Sequence, residues 1–140
     1  MATLPVSALR SNSAFYDLNP FYNADTSSSL SVSGAQALKS AISFLITSHI
    51  GSRSRTFNTK WGSDLIKFIN EPQDSTTALI LRSSIVSAID KWEPRVAVNA
   101  SNVTVTPLSS IGGYKVRIVF KVLGADSTES MTMLLQPNGY

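Results

Sequence analysis

An α+β domain is what this sequence predicts: about three helices packed on a C-terminal antiparallel sheet of hairpins, behind an irregular N-terminal arm. Three observations predict it. Apolar residues recur at helical spacing between residues 34 and 92, the period shortens to alternation from residue 96 onward, and Gly-containing breaks separate the alternating runs. Helices followed by a run of antiparallel strands settle on one face of the sheet. With 140 residues, 43% of them hydrophobic, the chain is long enough for one core and short for two. Residues 27–140 are therefore expected as a single domain and residues 1–26 as the arm.

The arm contains FYDLNPFYNADTSSS, whose Asn, Pro, Asp and Ser clusters sustain neither period. Its aromatics Phe15, Tyr16, Phe21 and Tyr22 argue against complete disorder, because such rings usually find a surface to cover. A short strand around Leu30 and Val32 follows. Ser33 then suits the N-cap of GAQALKSAISFLITSHI, in which Leu38, Ala41, Ile42, Leu45, Ile46, His49 and Ile50 share a face and Gly51 marks the end. GSRSRTFNTKW reads as a polar loop. GSDLIKFI reads as a short helix with Leu65, Phe68 and Ile69 inward, Pro72 breaks the chain, and Asp74 or Ser75 caps the next helix.

That third helix covers roughly residues 76 to 92, with Ala78, Leu81, Ile85, Ala88, Ile89 and Trp92 on one face. Beyond it Val96 and Val98, Val103 and Val105, residues 114–122 and residues 130–136 alternate as strands. SSIGGY and GADSTE supply the hairpin turns.

Composition excludes several chemistries. There is no cysteine and one histidine, so neither a thiolate site nor a multi-histidine metal site can form within one chain, and no cofactor is expected. No run of about 18 apolar residues suggests a membrane span, and no secretion signal opens the sequence, so a soluble protein made in a cytoplasm is expected. The net charge is +3 with only 15% charged residues. Cations gather at Arg53, Arg55 and Lys60 and again at Lys115, Arg117 and Lys121, but the interleaved aromatics of a single-strand nucleic-acid binder are sparse.

The junction KWEPRV carries the most information. Pro94 cannot donate a helical hydrogen bond and disfavours the helical conformation at Glu93, so the helix must end near Trp92. Glu93 then sits at the negative end of the helix macrodipole, unfavourable by about 0.3–1 kcal/mol if exposed. Arg95 can offset this with two parallel hydrogen bonds to the carboxylate. The plainer reading is a proline stop flanked by two ordinary surface charges.

WEPRV at a helix end, preceded by LRSSIVSAIDK and followed by alternating strands, resembles the contractile-tail baseplate wedge family, which includes the lysozyme-like wedge protein of contractile-tailed phages and TssE of type VI secretion. ALKSAISFLITS is similar to the family's first helix, and SRTFNTKWGSDLIKFINEP to its Arg, aromatic, Gly-Ser and short-helix segment. The resemblance spans roughly residues 28–136. Spacing to Gly62 favours Arg55 over Arg53 as the family arginine, and Asn70 stands where the family commonly has a large apolar residue.

The resemblance implies a structural, non-enzymatic role in a virion tail baseplate assembled in the host cytoplasm. Other baseplate wedge proteins would be partners, with central hub or tube proteins as further ones, and the sheath protein would join by strand addition; no nucleic acid, membrane or small-molecule substrate is implied. Glu93, Pro94 and Arg95 would form a docking corner with Trp92 as its buried anchor, alongside Arg55 and Gly62. The strands holding Tyr114, Val116, Ile118 and Phe120, and Met131 and Met133, would be templates for the added strand. The alternative for those strands is an ordinary hairpin packed on the helices, and for Trp92 a core residue touching no partner.

Two other functions stay open at this stage. A peptidoglycan hydrolase would need a carboxylate pair from Asp64, Glu71, Asp74, Asp90 and Glu93, although capping or helix-end positions account for several of these. A basic adaptor would bind nucleic acid through the two cation groups. The lone His49 shares a face with Leu38, Ile42 and Leu45 and reads as a core or boundary residue.

Overall fold

The computed structural model describes residues 16–18, 31–52, 59–125 and 127–137. The chain divides into two compact units, residues 1–41 and 42–140, with the division inside the first helix.

In the first unit β1 (Tyr16–Leu18) pairs antiparallel with β2 (Ser31–Ser33), placing Asp17 opposite Val32. β2 is the strand expected near Val32, and β1 adds a three-residue strand within the irregular N-terminal region. Three residues are too few to show alternation, so a ladder partner alone makes them a strand. The other arm residues lie outside the described ones. α1 (Ala35–Thr47) begins at Gly34, whose carbonyl accepts the Leu38 N–H at 3.3 Å and whose φ is +60°. Gly34 thus takes the cap position expected of Ser33. Ala37 and Leu38 are fully buried.

In the second unit Ile42, Leu45 and Ile46 of α1 are buried, as their spacing predicts. The helix stops at Thr47, short of Gly51. Thr47 Oγ1 donates to the Ser43 carbonyl at 2.9 Å and Ser48 Oγ to that of Phe44 at 2.6 Å. Such hydroxyl bonds compete with continuation of the helical ladder. His49 is therefore off the helix, half-buried, in an isolated parallel bridge to Ser63, and does not share the face of Leu45. Ser63 binds back to the end of α1 twice, through its N–H to the Ser48 carbonyl (2.8 Å) and its Oγ to the Ile46 carbonyl (2.6 Å).

α2 (Leu65–Ile69) buries Leu65 and Ile69 and leaves Phe68 half-buried. α3 (Ser75–Trp92) starts at Asp74, whose extended backbone and carboxylate acceptor for the Thr77 N–H (2.7 Å) make it the N-cap. Ala78, Leu81, Ile85, Ala88 and Ile89 form the buried stripe, and the helix packs on the sheet through β4.

The sheet comprises β3 (Val96–Ala97), β4 (Val103–Leu108), β5 (Gly113–Val122) and β6 (Thr128–Leu135), all antiparallel to β5. Ile118 pairs with both Met131 and Val103, and Lys121 with both Thr128 and Ala97. A strand has two edges, so β6 fills one edge of β5 while β4 and β3 share the other. Along β5, Tyr114, Val116, Ile118 and Phe120 are completely buried and Lys115, Arg117 and Lys121 exposed. Each buried side chain contributes on the order of 1.5–3 kcal/mol. Burial also pushes the Tyr114 phenol above its usual ionisation range, and its hydroxyl donates to the Pro72 carbonyl at 3.3 Å.

Candidate partner-docking site

The corner after α3 is built by backbone before side chains. Glu93 is the C-cap, its N–H donating to the Ile89 carbonyl at 2.8 Å, while its own carbonyl accepts the Val96 N–H at 3.3 Å across Pro94. The Arg95 carbonyl accepts the Leu123 N–H at 2.9 Å, so the turn is stitched to the end of β5 as well. The Glu93 side chain is 8% exposed and that of Arg95 34%. Arg95 Nε donates to Glu93 Oε1 at 2.5 Å and Nη2 to Oε2 at 2.7 Å. This is the bidentate pair expected from the sequence, and it answers both burial and the unfavourable helix end.

Pro94 is exposed and Arg95 partly so, while the carboxylate faces inward. Trp92 is half-buried rather than a fully buried anchor: Lys91 Nζ lies over its ring, 4.8 Å from the centroid, and Trp92 lines a cavity of about 320 Å³ with Ser84, Ser87, Lys60 and Asp64. The Lys91–Trp92 stacking and the Leu123 tether were not anticipated; adjacency of Lys91 to Trp92 was the available signal for the first, and nothing local signals the second.

Gly62 is buried, with φ +125°, and a Cβ there would stand 2.7 Å from the Ser48 carbonyl. Its requirement is internal, at the α1–α2 connection, where the close approach of the Ser48 carbonyl leaves no room for a side chain. Arg55 and Arg53 lie outside the described residues. Tyr114, Val116, Ile118 and Phe120 need the clearest correction. They face the core, and β5 has both edges hydrogen-bonded, so no further strand can join it. Alternation looks the same in a central and an edge strand. Met131 and Met133 lie on β6, half-buried on the side that holds Ile118 and Val116, and the outer edge of β6 carries no pairing among the described residues.

The carboxylates have local duties. Asp64 pairs with Lys67 at 3.0 Å, Asp74 caps α3 and Glu93 is clamped, whereas Glu71 and Asp90 are exposed. Among the described residues no three His, Asp or Glu side chains converge as a metal site, and no helix is long and apolar enough to cross a membrane.

With this geometry the chain is similar to two solved structures. A candidate tail lysozyme of Geobacter sulfurreducens superposes with a TM-score of 0.65 at 16% identity, over 74% of this chain and 91% of that one. A chain of the pyocin R2 baseplate in its postcontracted state superposes with a TM-score of 0.51 at 19% identity, over 86% of this chain and 99% of that one. No family model and no curated protein matches the sequence. At such identities the likeness establishes a shared fold.

Proposed function

We propose that this chain is a structural subunit of a contractile-tail baseplate wedge. In this reading the corner from Trp92 to Arg95 seats on a core bundle made by other wedge proteins, and the outer edge of β6 accepts a strand from the sheath protein, templating the first sheath ring. Central hub or tube proteins are further neighbours, and assembly takes place in the host cytoplasm. The observation that carries the proposal is the Glu93–Arg95 clamp around an exposed Pro94 at the helix-to-sheet corner. A corner held by two charge-assisted bonds and two backbone tethers presents one geometry to a partner. The shared fold with a pyocin R2 baseplate chain supports the same role.

Strand addition is confined in this proposal to β6, whose outer edge, unpaired among the described residues, is the kind that β-augmentation uses. The test compares Arg95→Ala and Arg95→Lys with the wild type in cells producing tails. Both variants should be folded by circular dichroism yet be depleted from purified baseplates. Incorporation at the wild-type level would remove the corner from the mechanism.

The likeness to a candidate tail lysozyme favours one second reading, peptidoglycan hydrolysis. Clearing of cell-wall suspensions by the purified chain, lost in Glu71→Gln, would put that reading first.

A further inference from the structure

One side of α3 turns away from the buried stripe. Leu79, Arg82, Ser83, Val86, Ser87 and Asp90 recur at spacings of three and four, which places them along a single face of the helix. Together they line an open groove of about 540 Å³. Leu79 is 61% exposed, and Arg82 and Val86 are half-buried. The solvent side of a helix is ordinarily polar, yet here two branched apolar side chains stand in it, two turns apart.

Arg82 and Asp90 carry opposite charges on this face, and among the described residues neither side chain has an ion pair or a hydrogen bond. Eight residues of helix separate them by about 12 Å, too far for them to pair with each other. Val86 stands midway, four residues from each. The charge order therefore reverses into its own complement about Val86. A helix of the same sequence laid antiparallel, with the two Val86 residues facing, puts each Arg82 beside the partner's Asp90, whereas a parallel one puts like charges together. Ser83 and Ser87 flank Val86 with small side chains, which admits the interaxial distance of about 8–10 Å usual for packed helices.

We propose that a second copy of this chain docks on this face, α3 against α3, antiparallel about a twofold axis through Val86. In such an isologous pair every contact occurs twice. Val86 meets its own copy at the centre, an Arg82–Asp90 pair closes the contact on either side, and Leu79 of each chain covers the last turn of the partner's helix. An interface of one helix pair lies at the small end of specific contacts, so the dimer is weak and reversible. It uses neither the Glu93–Arg95 clamp nor a sheet edge, and so stands or falls apart from the baseplate reading.

Sedimentation equilibrium of the full chain should show dimers forming as the concentration rises toward about 1 mM. Arg82→Asp leaves the face wholly acidic and Asp90→Arg leaves it wholly basic, so each variant alone should dimerise at least about tenfold more weakly. An equimolar mixture of the two should associate again, as should the double swap Arg82→Asp/Asp90→Arg. Circular dichroism checks that each variant is folded, and Asp90→Arg, at an exposed position, carries the comparison with the wild type by itself if Arg82→Asp is not. The chain has no cysteine, so an introduced thiol is unique. Val86→Cys, on the twofold axis, should give a disulfide-linked dimer under mild oxidation, whereas Thr76→Cys, exposed and ten residues away, should not, because its two copies stand about 30 Å apart. A chain that stays monomeric at about 1 mM, undiminished dimerisation of Asp90→Arg, a mixture or double swap of folded variants that fails to associate, or equal cross-linking at both thiol positions would overturn the proposal.

Discussion

Arg95 reaches back across Pro94 and holds both carboxylate oxygens of Glu93, at 2.5 and 2.7 Å, while the Glu93 side chain is all but removed from solvent. A carboxylate in that position tolerates loss of its partner poorly, because the charge remains where it cannot be hydrated. Arg95→Ala should therefore destabilise by about 1–3 kcal/mol, the value for a partly exposed charge-assisted pair. Glu93→Gln/Arg95→Ala should recover part of the loss. Urea denaturation of the four members of the cycle measures the coupling, and additive single effects would show that the pair is not a unit.

Asp74 links α3 to pH. The Thr77 backbone N–H is the first cause holding its carboxyl below the ordinary value of 3.8. A folded-state value lowered in this way stabilises the fold above pH 3.8, and the contribution is lost as pH falls through the lower, folded value. Asp74→Asn keeps a capping oxygen but cannot titrate. Its melting temperature should lie below that of the wild type at neutral pH, and the difference should close in acid. A constant offset across that range would disconnect the cap from the titration.

Strand position has its own readout in hydrogen exchange. β5 amides, paired on both sides, should be among the slowest in the chain, whereas about half of the β6 amides point to its outer edge, which carries no pairing among the described residues, and should exchange quickly in the isolated protein. If β6 receives a sheath strand, those fast amides become protected in assembled baseplates. Unchanged exchange there would relocate strand addition to another edge.

Much of this architecture is legible locally. Spacing alone marks the buried stripes of α1 and α3, Asp74 is one of two caps that the sequence offers, and Pro94 dictates where α3 stops. The Glu93–Arg95 pair is also readable, since two residues straddling a proline have few other ways to meet. Three local outcomes escape the pattern for one cause. His49 continues the helical pattern but leaves the helix because Thr47 and Ser48 bind its last carbonyls. Trp92 lies on the core stripe yet ends half-exposed under Lys91. Tyr16–Leu18 has no pattern and becomes a strand by pairing with β2. In each case the outcome depends on groups that a periodicity does not count.

Which residues face inward, where helices begin and end, and which charges must pair follow from chain-local geometry, because side-chain direction repeats with the backbone period. Strand order does not. β5 and β6 alternate equally well, and their long-range ladders put β5 in the middle with Tyr114 and Phe120 in the core, and β6 at an edge. Alternation alone puts Lys115, Arg117 and Lys121 on one face of β5, while the ladders decide that their neighbours come from strands far apart in sequence. Register is a property of paired strands, and no single strand carries it.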